Sequence, residues 1–519
     1  MSGEHQGEHQ AHAPFITTGS SALNLDSFTA RAANEADESL AADLLFGSAI
    51  AEDLQADGSL ALVVGGFPRD AVIEQVTGQP QSSKDIDMEV YGLGFEAMCA
   101  RLATFGKVDL VGASFGIAKV TNPASKNVLD FSIPRADSKV AAGHKGFQVT
   151  GDPHMSVAEA ARRRDLTMNA LAMNPLTGEL IDEYGGVEDI RNRTLRATDM
   201  ELFGDDPLRV LRVMQFAGRF NFKVHPATAE LCKTLDLTEL SQERIGEEWV
   251  KLMTKSERPS GGLTLARSLD ILDQLHPELA VLDTIEQEPE WHPEGNVWVH
   301  TMLAADAAAT VVREEGLVGD EALIVLFGAL CHDLGKATTT EVRKKGGQER
   351  ITAYNHEEAG VEPTGSFLEG LKMKQDVVEA VLPIVRHHLY HVHNPQPTDK
   401  QLQRFAQRLQ PASIRLWDLV SRCDSNARGK PFTTPTHSFA LYERSLELKV
   451  AERPAPMIVQ GRDLIAQLGL KPGPAFGVIL ERLYDAQIGD EYRTVEEGIA
   501  YYRTHEEEIQ ELVAEHAAH

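Results

Sequence analysis

The segment KDIDMEV sets Asp85 and Asp87 two residues apart, and on a β-strand that spacing projects both carboxylates from one face. Two hard oxygen ligands held this way suit Mg²⁺, for binding a triphosphate and promoting in-line displacement by a 3′-hydroxyl. Upstream, LALVVGGFPRDAV ends a hydrophobic strand at Gly65 and Gly66 and opens a helix near Pro68. Glycines there let backbone amides approach a triphosphate, whose charge a helix N-terminus favours. Arg69 adds a phosphate or ribose contact. Asp130, in NVLDFSIPR, is placed to supply a third carboxylate from a neighbouring strand. Taken singly, a strand-Gly-Gly-helix turn is often structural, and a DxD pair is often a polar strand face beside a lysine such as Lys84. Following one another at this spacing, they point to nucleotidyl transfer.

Two later segments extend the same chemistry. EAARRRDLTMNAL offers Arg164 and Asp165 for phosphate and ribose, with a solvated helix start as the alternative. In GDDPLRVLRVMQFAGRF, Pro207 marks a helix start and Asp206 and Arg209 lie about one turn apart. A carboxylate beside a guanidinium can read a base without a nucleic-acid template. Cytosine and adenine each present an amine donor next to a ring-nitrogen acceptor, which matches the pair. Uracil and guanine reverse that order and would leave buried polar groups unpaired, so CTP and ATP are selected. The structural alternative is a helical salt bridge.

A second constellation uses different ligands: His300 in WVHTMLAAD, His332 and Asp333 in LFGALCHDLGK, His356 in AYNHEEAG, His387 and His388 in IVRHHLYHVH, and Asp424 in SRCDSNARG. Imidazole with carboxylate suits a divalent transition metal better than Mg²⁺.

The elements that must hold these residues change character along the chain. From about residue 38 to 150, short β-rich runs (LALVV, KDIDMEV, NVLDFSI) alternate with helical patterns, and from about 155 helical periodicity dominates. The fold class is therefore α+β, a small mixed α/β head followed by a mainly α-helical body. At 519 residues the chain exceeds one ordinary core. With 42% hydrophobic and 25% charged residues it reads as a globular enzyme. No apolar run approaches the roughly 18 residues that span a bilayer, and the first residues lack a signal-peptide pattern, so no membrane and a cytoplasmic location are expected. Cys99, Cys232, Cys331 and Cys423 are scattered, which argues against a disulfide framework or a cysteine-built zinc site.

The net charge of −28 is unusual for a partner of nucleic acid, because Lys and Arg contacts to phosphate normally carry much of the affinity. Acidity is concentrated late: residues 485–519 hold ten acidic and two basic residues, whereas 160–223 hold ten of each. RNA must be gripped by a local basic surface. The C-terminal GRDLIAQLGLKPGPAFGVILERL reads as a helix, a Gly/Pro turn and a helix, either a phosphate contact or a plain hairpin.

In this order, the Gly-Gly turn, the DxD strand, the RRRD block, the DDPLR helix and LSQERIGEEWVKLM resemble the class II tRNA nucleotidyltransferase and bacterial poly(A) polymerase family over about residues 60–255. The resemblance implies Asp85 and Asp87 as metal ligands, Gly66, Arg69 and Arg164 on the triphosphate, Asp206 and Arg209 selecting the base, and Arg212 as a further nucleotide contact. It makes the helix around Glu243, Arg244 and Glu248 a brace. Two positions depart from the family pattern. Asp205 replaces a usual glutamate, a mild change, and Gln215 replaces an arginine, removing a charge that would help hold nucleotide.

The histidine constellation resembles the HD phosphohydrolase superfamily, and bacterial CCA-adding enzymes of one branch carry such a domain here. That likeness makes His300, His332, Asp333 and Asp424 the basic metal set, His356 and His387 candidates for a second ion, and Lys336 a phosphate contact. It implies hydrolysis of a phosphoester such as a 2′,3′-cyclic phosphate or a phosphomonoester. The expected organisation is a flexible tail (1–36), a nucleotidyltransferase head (37–155), a helical nucleotide-selecting and RNA-binding neck (156–285), an all-α HD domain (286–430) and a C-terminal helical region (431–519). The expected function is CCA addition to tRNA from CTP and ATP, with an accessory HD hydrolase. The alternatives are a poly(A) polymerase, a partial CC- or A-adding enzyme, or an HD hydrolase with a nucleotide-binding head. A purely structural RNA chaperone would not require two complete metal sets.

Overall fold

A computed structural model describes residues 35–517 apart from 79, 82–84, 111–115, 140–146 and 430–435. The expected tail, Lys84 and the start of the PFTTPTHS stretch lie outside the described residues. The chain divides into two compact units: Met1–Ser241 with Ser268–Ile271, and Gln242–Arg267 with Leu272–His519.

The first unit is built on a seven-stranded mixed sheet in the order β3-β4-β5-β2-β1-β8-β9. Its members are β1 (Leu60–Val64), β2 (Asp87–Tyr91), β3 (Val108–Leu110), β4 (Ile117–Thr121), β5 (Val128–Ser132), β8 (Ala172–Met173) and β9 (Leu180–Ile181), with β6 (Arg135–Lys139) and β7 (Phe147–Gly151) forming a separate hairpin. LALVV is apolar at every position and buried at four of five, as a strand covered on both faces must be. By contrast β2 alternates: Met88 and Val90 are fully buried while Asp87 and Glu89 face the other way. A slip of one residue would bury the carboxylates, so the register is strongly specified. All neighbours pair antiparallel except β2 and β5, which run parallel, and the register lines up Val64, Asp87 and Asp130 in one row.

Helix α1 (Glu35–Ala56) locks the far end of the sheet. Its buried Asp43 accepts hydrogen bonds from Asn122 (2.7 Å), Ser125 (2.5 Å) and Asn127 (2.7 Å) in the β4–β5 turn. Behind β1, Leu62, Val64 and Tyr91 pack with Val157 and Ala160 of α3 (Val157–Arg162) and with Ala172 and Ile181. The short strands β8 and β9, beyond residue 155, therefore complete the sheet where the periodicity reads as helical. Helix α2 (Gly66–Thr77) follows β1, and α4 (Leu208–Phe220) begins at Pro207 as expected. A small parallel pair, β10 (Thr194–Leu195) and β11 (Lys223–Val224), flanks α4 in sequence.

The second unit is helical around α6 (Gly319–Cys331), which is buried almost all round. The stretch Gly319–Thr339 is long and apolar enough to cross a membrane, yet 78% of its most apolar window is buried in the protein, as in a core helix. Around it pack α5 (Val297–Glu314), α7 (Gln375–His387) and α9 (Ile414–Ala427), with α8 (Asp399–Arg408) joining through Leu402 and Phe405. A Cβ on Gly328 would lie 3.0 Å from Val420, which sets how closely α6 and α9 approach. This unit departs from all-α in one hairpin, β12 (Thr340–Lys345) and β13 (Gln348–Ala353), turned by Gly346 and Gly347 at positive φ. Past it, α10 (Gly461–Leu468), a turn at Gly469 and α11 (Ala475–Gln487) form the expected helix-turn-helix. Cys232, Cys331 and Cys423 are buried and Cys99 half-buried, all free.

Candidate functional site

In the first unit the row Val64, Asp87, Asp130 brings the end of β1 against the two carboxylate strands. Gly65, one residue past the row, has φ +74°, and a methyl there would lie 3.5 Å from Asp87 Oδ2 and 3.6 Å from Arg164 Nη1. Only glycine combines that conformation with so close an approach. Helix α2 then starts with no side chain capping its first amides. Asp85 and Asp87 are exposed and Asp130 half-buried, with Lys119 Nζ 2.8 and 2.9 Å from the Asp130 oxygens. Desolvation by the surrounding protein raises the Asp87 carboxyl above its ordinary range; Asp130 and Asp85 add to the rise, against Arg164 and Lys119. A desolvated carboxylate with two more beside it fits a divalent cation.

Glu89 continues the alternation on the same face. It lies 3.7 Å from Arg164 Nη2 and accepts a 2.6 Å hydrogen bond from Tyr91. Around it gather Arg135, Arg163 and Arg164, and Arg209 adjoins Arg163. Burial, then the neighbouring Arg135, holds Arg163 down to about 10, and burial, then Arg164, lowers Arg135. Cations that depress one another make a site which a polyanion completes. Arg135, Arg163 and Glu89 were not singled out from sequence; continued DxDxE alternation and the middle residue of RRR were the available signals.

Three expected nucleotide contacts lie deeper. Arg69 is 6% exposed and directs Nε to Asp70 (2.7 Å) and Nη1 to Asn169 (2.8 Å), with Phe216 and Phe220 over its guanidinium. Asn169 donates to Asp165 Oδ1 (2.9 Å), and Arg212 Nε donates to Asp165 Oδ2 (2.6 Å). Although burial opposes it, Arg212 with these hydrogen bonds holds Asp165 below the usual carboxylate range. Arg219 closes the far end of this chain on Asp70 (3.3 Å). Of the residues expected at the nucleotide, Arg69 keeps Nη2 3.7 Å from where a methyl on Gly66 would lie, and Asp165 sits within this network. Both are enclosed, and with Arg212 they tie α2 to α4 by a continuous polar network. Asp206 precedes α4 and accepts from the Leu208 amide (3.2 Å), while Arg209 donates to the carbonyls of Leu202 (2.7 Å) and Arg163 (2.8 Å). Gln215 is 3% exposed and its amide nitrogen lacks a partner.

In the second unit the histidine constellation converges. Asn296 caps α5, accepting from the Val299 amide (3.0 Å), and His300 follows one turn in. His332 and Asp333 end α6, and Asp424 comes from α9. His300 Nε2 stands 3.2 Å from His332 Nε2, 3.1 Å from Asp424 Oδ1 and 3.6 Å from Asp333 Oδ2. On the other side Asp333 Oδ1 lies 3.3 Å from His356 Nε2 and 4.0 Å from His388 Nε2, which are 3.2 Å apart. Asp333 thus offers one oxygen to each of two ligand groups, the arrangement for a pair of ions.

The sixth ligand is corrected from His387 to His388. His388 is 1% exposed and inside the cluster, whereas the ring of His387 packs edge-on against Phe405. The protonation of the imidazoles follows from their outer partners. Nδ1 of His332, His356 and His388 faces the carbonyls of Ala329 (2.8 Å), Ala353 (2.7 Å) and Val385 (2.7 Å), which can only accept. Nδ1 of His300 faces Glu294 Oε1 at 2.7 Å. Despite burial, hydrogen bonds led by that from His300 hold Glu294 down to about 2, so it accepts too. All four Nε2 atoms are therefore turned inward, and against burial the hydrogen bonds to Asp424 and Glu294 raise His300 above its ordinary value. His292 shares the same oxygen (2.8 Å), and burial, then Lys336 and Arg428, push it down to about 4. Asp333 and Asp424 are both held well below the usual range against burial, by His332 and Lys336 and by Arg428 and His300 respectively.

Over this centre lies a cavity of about 500 Å³. Its lining combines Asp333, His356, Lys336 and Arg428 with the apolar and aromatic Trp291, Tyr354, Ile351, Leu389 and Val392. Lys336 Nζ bridges Asp333 Oδ2 and Gln287 Oε1, both at 2.7 Å. The EPEWHPEGN stretch, legible in sequence only as a break, supplies Trp291 and His292 to this wall, Glu294 to His300 and His292, and Asn296 to the cap of α5.

Three family models match successive parts of the chain. Residues 61–196 match the family described as poly(A) polymerase head domain, 221–282 that described as probable RNA and SrmB-binding site of polymerase A, and 297–420 the HD domain family. The multifunctional CCA protein of Xanthomonas campestris pv. campestris strain B100 is 32% identical over 430 residues, 80% of this chain and 95% of that protein. That of Xylella fastidiosa strain M23 is 32% identical over 381 residues, 71% and 83% of the two chains. Among solved structures, a Bacillus stearothermophilus CCA-adding enzyme in complex with CTP superposes with a TM-score of 0.55 at 22% identity, covering 90% of this chain and 99% of that one. A Thermotoga maritima CCA-adding enzyme complexed with tRNA-CCA gives 0.53 at 16% identity, over 93% and 100%. At these identities the structural likeness speaks for the fold.

Proposed function

Since the chain belongs to the family of multifunctional CCA proteins, we propose that it adds C, C and A to the 3′ end of tRNA from CTP and ATP, and that its second unit hydrolyses phosphoesters. The observation that carries the first activity is the row Val64, Asp87, Asp130 beside Gly65, with the arginine cluster gathered on the same face. Divalent cations are part of both activities; we assign Mg²⁺ to Asp85, Asp87 and Asp130, whose all-oxygen donors suit a hard ion. Bound there, it would neutralise charge on the triphosphate and favour ionisation of the attacking 3′-hydroxyl.

The protein's own residues do the rest. The uncapped amides of α2 and the guanidinium of Arg164 receive the triphosphate. Asp206 and Arg209 at the start of α4 select cytosine or adenine. The network Arg219, Asp70, Arg69, Asn169, Asp165, Arg212 holds α4 against α2, so base and triphosphate are read at a fixed separation. The tRNA lies along a basic surface, and the protein works in the cytoplasm.

For the second activity, the mixed imidazole and carboxylate set fits a transition metal, whose chemistry is to make water nucleophilic near neutral pH. Lys336 and Arg428 receive the phosphoryl oxygens, and the apolar and aromatic part of the lining receives a flat base or sugar.

The test is incubation with Mg²⁺ and a tRNA lacking its terminal CCA, with each nucleoside triphosphate singly and in mixtures. Addition of C, C and A followed by a stop is the expected result. An A tail of indefinite length would make this a poly(A) polymerase. A halt after CC, or a need for CC beforehand, would tie the loss of arginine at Gln215 to a partial activity, and no addition would leave the second unit as the working enzyme.

A further inference from the structure

A second cavity, of about 460 Å³, adjoins the one over the His/Asp centre, and the two share Asn355, Glu357, Leu389 and His393 in their walls. It is lined by guanidiniums from three turns of helix: Arg386 near the end of α7, and Arg404 and Arg408 on α8. On a chain of net charge −28 this is a local exception. Glu357 and Glu358 are the acidic members of the lining. Arg386 is held by Glu358 (2.9 Å) and Arg404 by Asp485. Arg408 is exposed and forms no ion pair among the described residues. Exposed pairs of this kind are weak and exchange readily, and a phosphate offers a guanidinium two parallel hydrogen bonds. Tyr390, stacked on Phe405 at 3.8 Å, adds an aromatic ring to the same wall. Arginines with an aromatic ring, in a groove running on from a second pocket, are the ingredients of a single-strand nucleic-acid site.

We propose that this cavity binds the phosphate of the nucleotide preceding the one hydrolysed, so that the His/Asp centre acts on the end of an RNA strand in preference to a mononucleotide. The proposal rests on the hydrolase reading of the second unit. The reaction itself joins a water oxygen to phosphorus and breaks one P–O ester bond, with the departing oxygen taking up a proton. Arg386, Arg404 and Arg408 stand outside those bond changes and act on binding alone.

The test uses the full chain with Mn²⁺, Co²⁺ or Ni²⁺ and two substrates sharing a terminal base, a nucleoside 2′,3′-cyclic phosphate and a trinucleotide ending in one. The wild type should favour the trinucleotide in kcat/KM by at least about tenfold, and Arg408→Glu should lower that ratio about tenfold while Arg408→Lys keeps it. A ratio unmoved by Arg408→Glu overturns the proposal. Failure to turn over either substrate with all three metals counts against the hydrolase reading instead. The subsite is then read by fluorescence anisotropy of a 5′-labelled, 3′-phosphorylated trinucleotide. Arg408→Glu should weaken that binding by about tenfold, and unchanged affinity overturns the proposal.

Discussion

Asp85 and Asp87 stand exposed on and beside the end of a strand, whereas Asp333 and Asp424 are 1% and 3% exposed at the meeting point of helices. Around the first pair nothing is closed. Lys119 answers Asp130, the arginines repel one another, and the first amides of α2 have no side-chain cap. Around the second pair nearly every outer hydrogen bond is already made, with each imidazole fixed through Nδ1 and each carboxylate matched to Lys336 or Arg428. The first centre waits for a substrate that brings its own charge and metal; the second is assembled in advance and needs only ions. A transferase that takes in two different triphosphates and a changing RNA end benefits from the open design, and a hydrolytic centre benefits from the rigid one.

This contrast breaks most visibly at Asp87. Asp87→Asn should lower nucleotide addition by about a thousandfold, since a metal ligand stabilises the transition state by several kcal/mol, and should leave phosphoester hydrolysis intact. Stability should move the other way. The raised carboxyl binds its proton more tightly when folded, so its contribution is fully present below the ordinary 3.8 and is lost as pH rises through the folded value. Asparagine removes that loss, and thermal melting at pH 7 without divalent metal should shift upward. A fall in melting temperature would mean that the open carboxylates are structural.

A second, smaller effect separates neighbours in the closed centre. His388→Ala should weaken metal binding by about a hundredfold, while His387→Ala should stay within about twofold, as for a side chain outside the cluster. Metal content after dialysis and hydrolysis rates both read the difference. Equal losses would dissolve the correction made from the geometry.

Why the motif order named the wrong one of these histidines follows from helix geometry. Among the buried positions of α7, Val377, Val381, Ile384 and Val385 recur at a helical spacing that continues to 388, while Ala380 and Ile384 point as well to 387, so periodicity alone does not separate the two neighbours. Strand alternation made Asp85 and Asp87 readable, and Asp130 followed from an apolar run that had to lie beside them. Arg69, Asp165 and Arg212 were readable as polar groups at the site, but whether a guanidinium meets a phosphate or a buried carboxylate is decided by Asp70 and Asn169, far away in sequence from one or other partner. The hairpin β12–β13 carries only Val342, Ile351 and Ala353 among polar residues and hides from hydrophobic periodicity, though its Gly346-Gly347 turn was a usable sign. Glu294 sat in a Pro/Gly-rich stretch whose composition suggested a linker.

Glu294 offers the finest test of how far the closed centre depends on its outer partners. One carboxylate oxygen accepts from both His300 and His292. Glu294→Gln keeps size and one acceptor oxygen but removes the charge that keeps Nδ1 of His300 protonated. Glu294 is held at about 2, so in the wild type its ionised form serves near neutral pH. In the variant His300 is free to place its proton on Nε2, where an ion must bind. Metal affinity should fall by about tenfold, the lower end for loss of an outer-sphere partner, with nucleotide addition untouched. An unchanged affinity would show that the four imidazoles are held by the helices and carbonyls alone, and that the preassembly of this centre lies in the backbone.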